Sequence, residues 1–455
     1  GTLNLTSSGA VSDVGAQVNV SGALQLTGSS ISIGNLASTT LNVAGDAVLT
    51  ANNGGNITLG DAGSVNFNAL TFSTTGAVVI YEDSATQLKN SSSAGSLSLT
   101  SSAALTDGTG TAATLAVTGS ASFTGTTINF GDSASDSLTI GGNAHLTATS
   151  GNVVVAASGT ANFGSLTLTG AGSFTVYEDS DTLFSGSSSI GTASLTSSGS
   201  IQNASGTALT ISGLAGLQGS SSNLGTQTGD QINSGTLTLI ASGSVRLVET
   251  SASELVGNNS GSSFSVTSET ASSTLTGNIS TSSGAVVLEA GQSVILGSAS
   301  TVTSAGGSIT ISADYDSSGT AGAGGVTMAD GASINAGSGT VSVAATDNIT
   351  IGNIQSSTLI RLTSSQGSIL DGGDTEVDLV GTSVVLRTKS GIGGLNPLDT
   401  QITSLAYVNT SSGDVKVNNQ GGLTITAIDG ASASSNSGNT VLTATSPITF
   451  AVTST

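Results

Sequence analysis

The sequence contains no cysteine and no tryptophan, and only 2 prolines stand among its 455 residues. Without cysteine the chain forms no disulfide, so hydrogen bonds and packing must stabilise any fold. With 64 glycines but so few prolines, the composition excludes both collagen and a proline-rich disordered segment. We therefore expect a chain that folds without covalent cross-links.

Charged residues are also scarce, at 7% of the chain, and the formal net charge is −21. Phosphate backbones and anionic lipids bind clustered lysine and arginine. The sequence has only six basic residues, and they are dispersed: Lys89, Arg246, Arg361, Arg387, Lys389 and Lys416. The composition therefore argues against nucleic acid as a partner, and the acidity is typical of a β-rich surface kept soluble by self-repulsion.

Long apolar runs are missing as well. A helix that crosses a bilayer needs about 20 consecutive apolar residues, whereas stretches such as Ala77–Tyr81 soon meet Gly, Ser or Thr. We expect no membrane insertion of this segment. The chain begins at Gly1 and stops at Thr455 in mid-pattern, so we expect an excerpt of a longer protein, in which a missing targeting signal carries no weight.

What the sequence does contain is repetition. Leu41–Thr50 returns with a similar pattern as Leu138–Thr147, one long repeat further along the chain. Leu166–Glu178 returns as Leu237–Glu249 after a distinctly shorter interval. The shortfall is close to one unit of a finer repeat, which indicates a solenoid edited in whole coils.

The domain prediction follows from these two repeats. Residues 1–249 are predicted to form three super-repeats of about 96 residues, the third shortened by about one coil. Residues 250–455 are predicted to continue with coils of the fine repeat alone. One continuous solenoid is the simpler interpretation, although Ser and Asn crowd together over residues 250–280, where a break is the alternative.

The fine repeat has a variable spacing of roughly 19 to roughly 25 residues, and Leu26, Leu49 and Phe72 are equally spaced within it. Within each unit, apolar and small polar residues alternate, as in Ile57-Thr58-Leu59 and Ile309-Thr310-Ile311. Such period-two alternation, bounded by Gly, Ser and Asn, predicts short strands with Leu, Ile and Val inward and Thr or Ser outward. The fold class is therefore predicted as all-β, a parallel β-helix or β-solenoid.

Aromatic residues are rare, at 3% of the chain. Several recur at matching places in the super-repeat: Phe67 with Phe163, and Tyr81 with Tyr177. Matching positions in successive repeats are typical of an internal column of packed side chains. We predict that all four pack inside the solenoid rather than bind a ligand.

The sequence resembles the filamentous-haemagglutinin type of bacterial exoprotein and the giant β-strand-repeat surface proteins of environmental bacteria. The resemblance covers essentially the whole chain and is carried by the Gly-Ser-Ile-Thr-Ile style of coil and by segments of the tail: Gly307–Ile311, Gly391–Thr400, Val408–Val415, Gly421–Ile425 and Thr445–Ile448. It implies a right-handed parallel β-helix, export to the cell surface, and a role in adhesion or as an extracellular stalk. The secretion-signal domain of that family is not matched, which leaves the export route open.

Acidic residues near strand ends are the candidate metal ligands. Ca²⁺ takes six to eight oxygen ligands, including carboxylates, and the candidates are Glu82, Asp83, Glu178, Asp179, Asp181, Asp314 and Asp316. The calcium β-roll signature is not present in repeated form, and two carboxylates per site fall short of a cage. A structural role at a strand end or loop is therefore the favoured interpretation, and no other cofactor is expected.

An enzyme is the competing interpretation, because parallel β-helices include polysaccharide-cleaving enzymes. Their sites need clustered acids with Arg or Lys, or a carboxylate pair at a defined separation. Here the close pair Arg387 and Lys389 has no acid nearer in sequence than Asp378 or Asp399, and the only histidine, His145, is predicted to point outward. We predict no catalytic residues.

The predicted function is a non-enzymatic structural rod of a secreted or cell-surface adhesin or extracellular fibre. Surface glycans, other cells or copies of the chain itself are the partners that this role implies. Two alternatives stay open: a carbohydrate-active β-helix enzyme of the lyase or hydrolase kind, and a subunit of a self-assembling sheath or filament.

Overall fold

The computed structural model describes residues 1–108, 112–315, 324–373, 376–431 and 434–451. In these residues there is no helix, and β-strands account for 61%. The strands form a parallel β-solenoid of about 20 coils with about 22 residues per coil. The predicted fold class, an all-β parallel β-solenoid, is confirmed.

The chain divides into two compact units. The first contains Gly1–Ser220 and Gln227–Asp230. Its strands are β1 (Leu3–Thr6), β2 (Val11–Ser12), β3 (Gln17–Val20), β4 (Leu24–Gly28), β5 (Ile31–Ile33), β6 (Thr40–Val43), β7 (Asp46–Ala51), β8 (Ile57–Leu59), β9 (Ser64–Asn66), β10 (Ala69–Ser73), β11 (Ala77–Glu82), β12 (Thr86–Leu88), β13 (Asn90–Ala94), β14 (Ser96–Ser101), β15 (Leu105–Asp107), β16 (Ala113–Val117), β17 (Ala121–Gly125), β18 (Ile128–Phe130), β19 (Ser137–Ala148), β20 (Val153–Val155), β21 (Thr160–Glu178), β22 (Thr182–Phe184), β23 (Ser187–Ser197), β24 (Ser200–Asn203) and β25 (Ala208–Gly219).

The second unit contains Ser221–Thr226 and Gln231–Thr455. Its strands are β26 (Ser221–Leu224), β27 (Gln231–Ala241), β28 (Val245–Glu249), β29 (Ser253–Leu255), β30 (Asn258–Gly261), β31 (Phe264–Ser268), β32 (Ser273–Leu275), β33 (Asn278–Thr281), β34 (Val286–Ala290), β35 (Val294–Leu296), β36 (Thr301–Ser304), β37 (Ile309–Ala313), β38 (Val326–Met328), β39 (Ser333–Asn335), β40 (Val341–Ala345), β41 (Ile349–Ile351), β42 (Asn353–Ser364), β43 (Ile369–Asp371), β44 (Leu379–Thr388), β45 (Leu398–Asn409), β46 (Val415–Asn419), β47 (Leu423–Ile425), β48 (Ser435–Asn436), β49 (Thr440–Ala444) and β50 (Ile448–Phe450).

Strand register follows the spacing of the fine repeat. Leu26 pairs with Leu49 and Leu49 with Phe72, each one coil further along. All three side chains are buried, because every second residue of a strand faces the same side of the sheet. Stacked columns of this kind form a thin aliphatic interior, and backbone hydrogen bonds join each coil to the next. The in-register columns that the sequence predicts are thus confirmed.

The prediction for the aromatic residues is confirmed for one pair and wrong for the other. Phe67 and Phe163 are buried, as expected. Tyr81 and Tyr177 are not: their exposed fractions are 43% and 41%. On β11 the inward positions are held by Ile80 and Glu82, so the alternation turns Tyr81 outward. The tyrosines fail to pack inside because their glutamate neighbours face inward instead.

Candidate functional site

The first predicted acidic pair ends a stack of strands. Strands β3, β6 and β9 form a separate sheet of three, in which β9 is the last. The backbone N–H of Phe67, just after β9, donates to Glu82 Oε1 at 2.9 Å, and that of Val65 donates to Asp83 Oδ2 at 3.0 Å. In a continuing stack the next strand would accept these bonds. Glu82 and Asp83 therefore cap the last strand of this sheet.

The second pair repeats this arrangement one super-repeat later. Phe163 N–H donates to Glu178 Oε1 at 3.0 Å, and Ala161 N–H donates to Asp179 Oδ2 at 2.9 Å. The hydroxyl of Thr182 also donates to Glu178 Oε2, at 2.6 Å. The recurrence of Tyr-Glu-Asp in the sequence thus has a structural cause, which is the closure of a strand stack.

A third glutamate occupies the corresponding place in the second unit. Glu249 Oε1 accepts hydrogen bonds from the backbone N–H of Ser234, at 2.8 Å, and from the Ser234 hydroxyl. The residue that follows is Thr250 rather than aspartate, and its N–H bonds the carbonyl of Ile232 at 3.0 Å. The third cap therefore uses one carboxylate instead of two.

Burial perturbs all three glutamates. Glu82, Glu178 and Glu249 are almost completely buried, and loss of solvation raises the pKa of each carboxyl. For Glu249 the pKa rises to about 7, although the hydrogen bonds from Ser234 oppose the shift. Glu249 Oε2 is buried and has no hydrogen-bond partner among the described residues. This acid is therefore held partly in its neutral form near neutral pH.

The remaining calcium candidates are spread over both units. Asp181 Oδ1 accepts bonds from the N–H and the hydroxyl of Ser200, at 2.6 and 2.9 Å, and these bonds lower the pKa of Asp181. Asp314 accepts a bond from the hydroxyl of Thr346. Asp316 lies outside the described residues. The described candidates all accept hydrogen bonds from groups of the chain itself, and calcium binding by them stays a prediction.

A cluster of three other acids was not foreseen from the sequence. Asp107 ends β15, while Asp132 and Asp136 lie on the turn between β18 and β19. One carboxylate oxygen from each lies within 4.8 Å of the other two, and among the described residues this is the one such group of three potential metal ligands. Asp107 is separated from the other two by about one coil of sequence, so only the stacking of coils brings them together.

We call Asp107, Asp132 and Asp136 the aspartate cluster. Asp136 is fixed by two backbone bonds: Ala113 N–H donates to its Oδ1 at 2.9 Å, and Ser133 N–H donates to its Oδ2 at 2.8 Å. Asp107 is 3% exposed. Its Oδ2 accepts a bond from the backbone N–H of Gly131, whereas its Oδ1 has no partner among the described residues.

The charge state of Asp107 reflects these surroundings. Burial raises the pKa of the Asp107 carboxyl to about 6, the bond from Gly131 opposes the rise, and the negative charges of Asp136 and Asp132 add to it. The signal in the sequence was the position of Asp107, two residues after the inward-facing Leu105. An aspartate at an inward strand position needs either a proton or a positive charge nearby.

A groove on the second unit is lined mainly by amides, hydroxyls and glycine. It has a volume of about 600 Å³. Gln355, Val380 and Gln401 stand in register on successive coils along it, and Gln420 lines it further along. Amide side chains offer both donors and acceptors, which suits a ligand rich in hydroxyl groups.

Basic side chains bind neighbouring parts of the chain. Arg361 makes a bidentate pair with Asp429, with both distances 2.6 Å, and Arg387 also contacts Asp429 at 3.3 Å. These arginines lower the pKa of Asp429 to about 2. The turn that carries Asp429 packs through Ala431 on a small outer apolar cluster that includes Val385.

The single histidine faces outward, as the alternation predicts. His145 is half-buried on β19, between the inward Ala144 and Leu146, and its Nε2 lies 3.1 Å from the hydroxyl of Thr169. Burial lowers the pKa of the ring. The residues beside it in register are Ser122 and Thr167. Its immediate surroundings are thus hydroxyl groups.

Comparisons with protein-family models, with curated proteins and with solved structures give no match to this chain. The described residues include no helix with the length and apolarity needed to cross a membrane. The fold is that of a β-helix repeat protein, and it is compatible with a structural rod or with a β-helix enzyme.

Proposed function

We propose that the chain is a non-enzymatic structural shaft of a bacterial adhesin or extracellular fibre. The observation that carries the proposal is the use of the rare ionisable side chains. The acids of the super-repeat close strand stacks by capping backbone N–H groups, as Glu82 and Asp83 do on β9. Residues that an enzyme would direct at a substrate are here directed at the chain's own backbone.

The basic residues support the same role. Lys89 pairs with Asp46 at 2.8 Å, and Lys416 donates to the carbonyl of Gly394 at 2.9 Å. Lys389 donates to Gln366, one coil before it. Together with Arg361 and Arg387 on Asp429, most of the positive charge of the chain joins parts of the chain to one another. Such contacts stabilise the stacking of coils, which a long extracellular fibre needs.

We also propose that the shaft takes part in adhesion, and the groove lined by Gln355, Gln401 and Gln420 supports this role. A groove of about 600 Å³ is in the size range of sites for small ligands. Gln355 and Gln401 lie two coils apart along the groove, and their amide groups suit sugar hydroxyls. We therefore propose that glycans contact the shaft along Gln355, Gln401 and Gln420.

The test combines activity and binding measurements on the whole chain. The protein is incubated with a panel of polysaccharides, with and without Ca²⁺, and the expected result is binding of some glycans without cleavage of any. In glycan titrations, Gln401→Ala should weaken binding about tenfold, because it removes one or two hydrogen bonds to the glycan. Gln218→Ala, an exposed amide on the first unit, is the matched control and should bind as the parent does.

Catalytic turnover of any polysaccharide in the panel would refute the structural role and favour the β-helix enzyme. Immunogold electron microscopy of the source bacterium tests the location separately. Labelled extracellular fibres or surface projections are expected, and label confined to the cell interior would contradict the proposal. Glycan binding that is equally strong in Gln401→Ala and the parent would refute glycan binding in the groove. It would leave the structural role unaffected.

A further inference from the structure

We propose that the aspartate cluster, Asp107, Asp132 and Asp136, binds one hard divalent cation of the calcium type. This site is separate from the calcium candidates predicted from the sequence, and it does not depend on the shaft role.

The spacing of the oxygens fits a single ion. Ca²⁺ binds oxygen ligands at 2.3–2.6 Å, so two ligands on opposite sides of one ion are about 5 Å apart at most. The three carboxylate oxygens of the cluster lie within 4.8 Å of one another. An ion between them can therefore contact all three acids with little rearrangement.

The surroundings of Asp107 point to a ligand independently of the clustering. A carboxylate that is only 3% exposed, with one oxygen lacking any hydrogen-bond partner among the described residues, is costly unless a charge or proton compensates it. The acids that face it, Asp132 and Asp136, carry charge of the same sign. A bound cation supplies the missing compensation for all three.

Comparison with the first super-repeat shows that the cluster is more than a turn cap. There Asp13 holds the place of Asp107, since Gly34 N–H donates to its Oδ2 at 3.2 Å as Gly131 does to Asp107. The positions one super-repeat before Asp132 and Asp136 are Asn35 and Thr39. The turn thus forms with one carboxylate, and the second copy adds two more at the same place.

The third super-repeat shows that the capping of the turn by Asp136 does not require the other two acids of the cluster. Asp230 makes the same pair of backbone bonds as Asp136: Gln227 N–H donates to its Oδ2 at 2.8 Å and Gly206 N–H to its Oδ1 at 3.0 Å. Capping this turn therefore needs a single aspartate. Asp107 and Asp132 are not needed for it, which leaves them available to bind an ion.

The chemistry of the donors selects the ion. All three ligands are carboxylates, without the histidine or cysteine that zinc and copper prefer. Ca²⁺ accepts six to eight oxygens in flexible geometry, so waters and backbone carbonyls can complete the shell. Mg²⁺ requires near-ideal octahedral geometry and should bind more weakly.

The experiment is isothermal titration of CaCl₂ into the whole chain after removal of metals by a chelator. The parent protein should bind one equivalent, with a dissociation constant of about 1 mM or lower. Asp107→Asn and Asp132→Asn should each weaken this binding at least about tenfold. Asp13→Asn, at the equivalent place in the first super-repeat, is the matched control and should leave it unchanged.

Melting curves make the test independent of folding defects. Millimolar Ca²⁺ should raise the melting temperature of the parent and of Asp13→Asn, but not that of Asp107→Asn. Without metal, Asp107→Asn should melt no lower than the parent, because it removes one of three like charges. Absence of calcium binding at about 10 mM, well above the expected dissociation constant, would overturn the proposal. Unchanged binding in both Asp107→Asn and Asp132→Asn would overturn it equally.

Discussion

The buried glutamates Glu82, Glu178 and Glu249 show what strand alternation does to single residues. Each lies two positions after a buried aliphatic residue, so the same geometry that turns Ile80 inward turns Glu82 inward. Hydrogen bonds from Ser234 compensate only one oxygen of Glu249, since the other has no partner among the described residues. The stability of the fold at these places therefore depends on protonation.

For Glu249 the sign of the pH dependence follows from its raised pKa. An unfolded glutamate ionises near pH 4.3, whereas the pKa of Glu249 in the folded chain is about 7. Between these values the folded state binds more protons, so the Glu249 contribution to the free energy of unfolding falls as pH rises, by up to about 4 kcal/mol in all.

We expect Glu249→Gln to remove this dependence. Measured by urea unfolding from pH 4 to 8, the stability of Glu249→Gln relative to the parent should increase with pH and level off above about 7. Glu269→Gln, at an exposed glutamate, is the control and should stay parallel to the parent curve. A pH-independent difference between Glu249→Gln and the parent would show that Glu249 is ionised in the fold throughout this range.

At the scale of elements, the turn around Asp429 is attached by a few specific contacts. Arg361 and Arg387 bind the Asp429 carboxylate, and the N–H groups of Ile428 and Ala431 bond each other's carbonyls. Beneath the turn lies the small apolar cluster around Val385. The turn covers side chains that would otherwise face solvent.

Asp429→Ala should release this turn from the sheet. Hydrogen exchange at residues 428–431 should accelerate at least about tenfold, while strands β44 and β45 keep their protection. Because the pKa of Asp429 is lowered to about 2, the ion pairs should persist as pH falls and be lost only near that value. Asp61→Ala, at an exposed acid on another coil, should leave exchange at 428–431 unchanged.

The sequence predicts features that depend on neighbouring residues or on the repeat spacing. It does not predict contacts that form only when coils stack. Register is encoded by the repeat spacing, and the pairing of Ile80 with Leu99 on the next coil follows it. Recurrence of Tyr81 in the super-repeat does not distinguish an inward column from an outward one, whereas the strand alternation turns Tyr81 outward. The aspartate cluster is not predicted because the coil spacing varies, and only the stacking in the structure shows that Asp107 and Asp132 meet.

At the scale of the whole molecule, each unit is built from neighbour contacts between coils. Strand β37 pairs with β34 through Ile309 and Val286, which lie one coil apart. In such solenoids stability is approximately a sum over coils and their interfaces. Insertion or deletion of whole coils should therefore be tolerated.

Deletion of residues 286–308 should preserve the fold, because it brings Ile309 into the place of Val286. Circular dichroism should keep the β signature, and the melting temperature should change by only a few degrees. Deletion of residues 286–297 removes about half a coil and should give an aggregated or unfolded chain. Equal stability of the two deletion variants would contradict the nearest-neighbour description.

The acid pairs that end a strand stack also protect the chain from unwanted self-association. An unfinished sheet presents free amide and carbonyl groups, and these invite strand addition by other chains and growth of amyloid. On β9 the amide of Val65 and the one just after the strand, at Phe67, are already bonded to carboxylates. A repetitive, β-rich chain can therefore reach high local concentration without this sheet edge at β9 acting as a template for polymerisation.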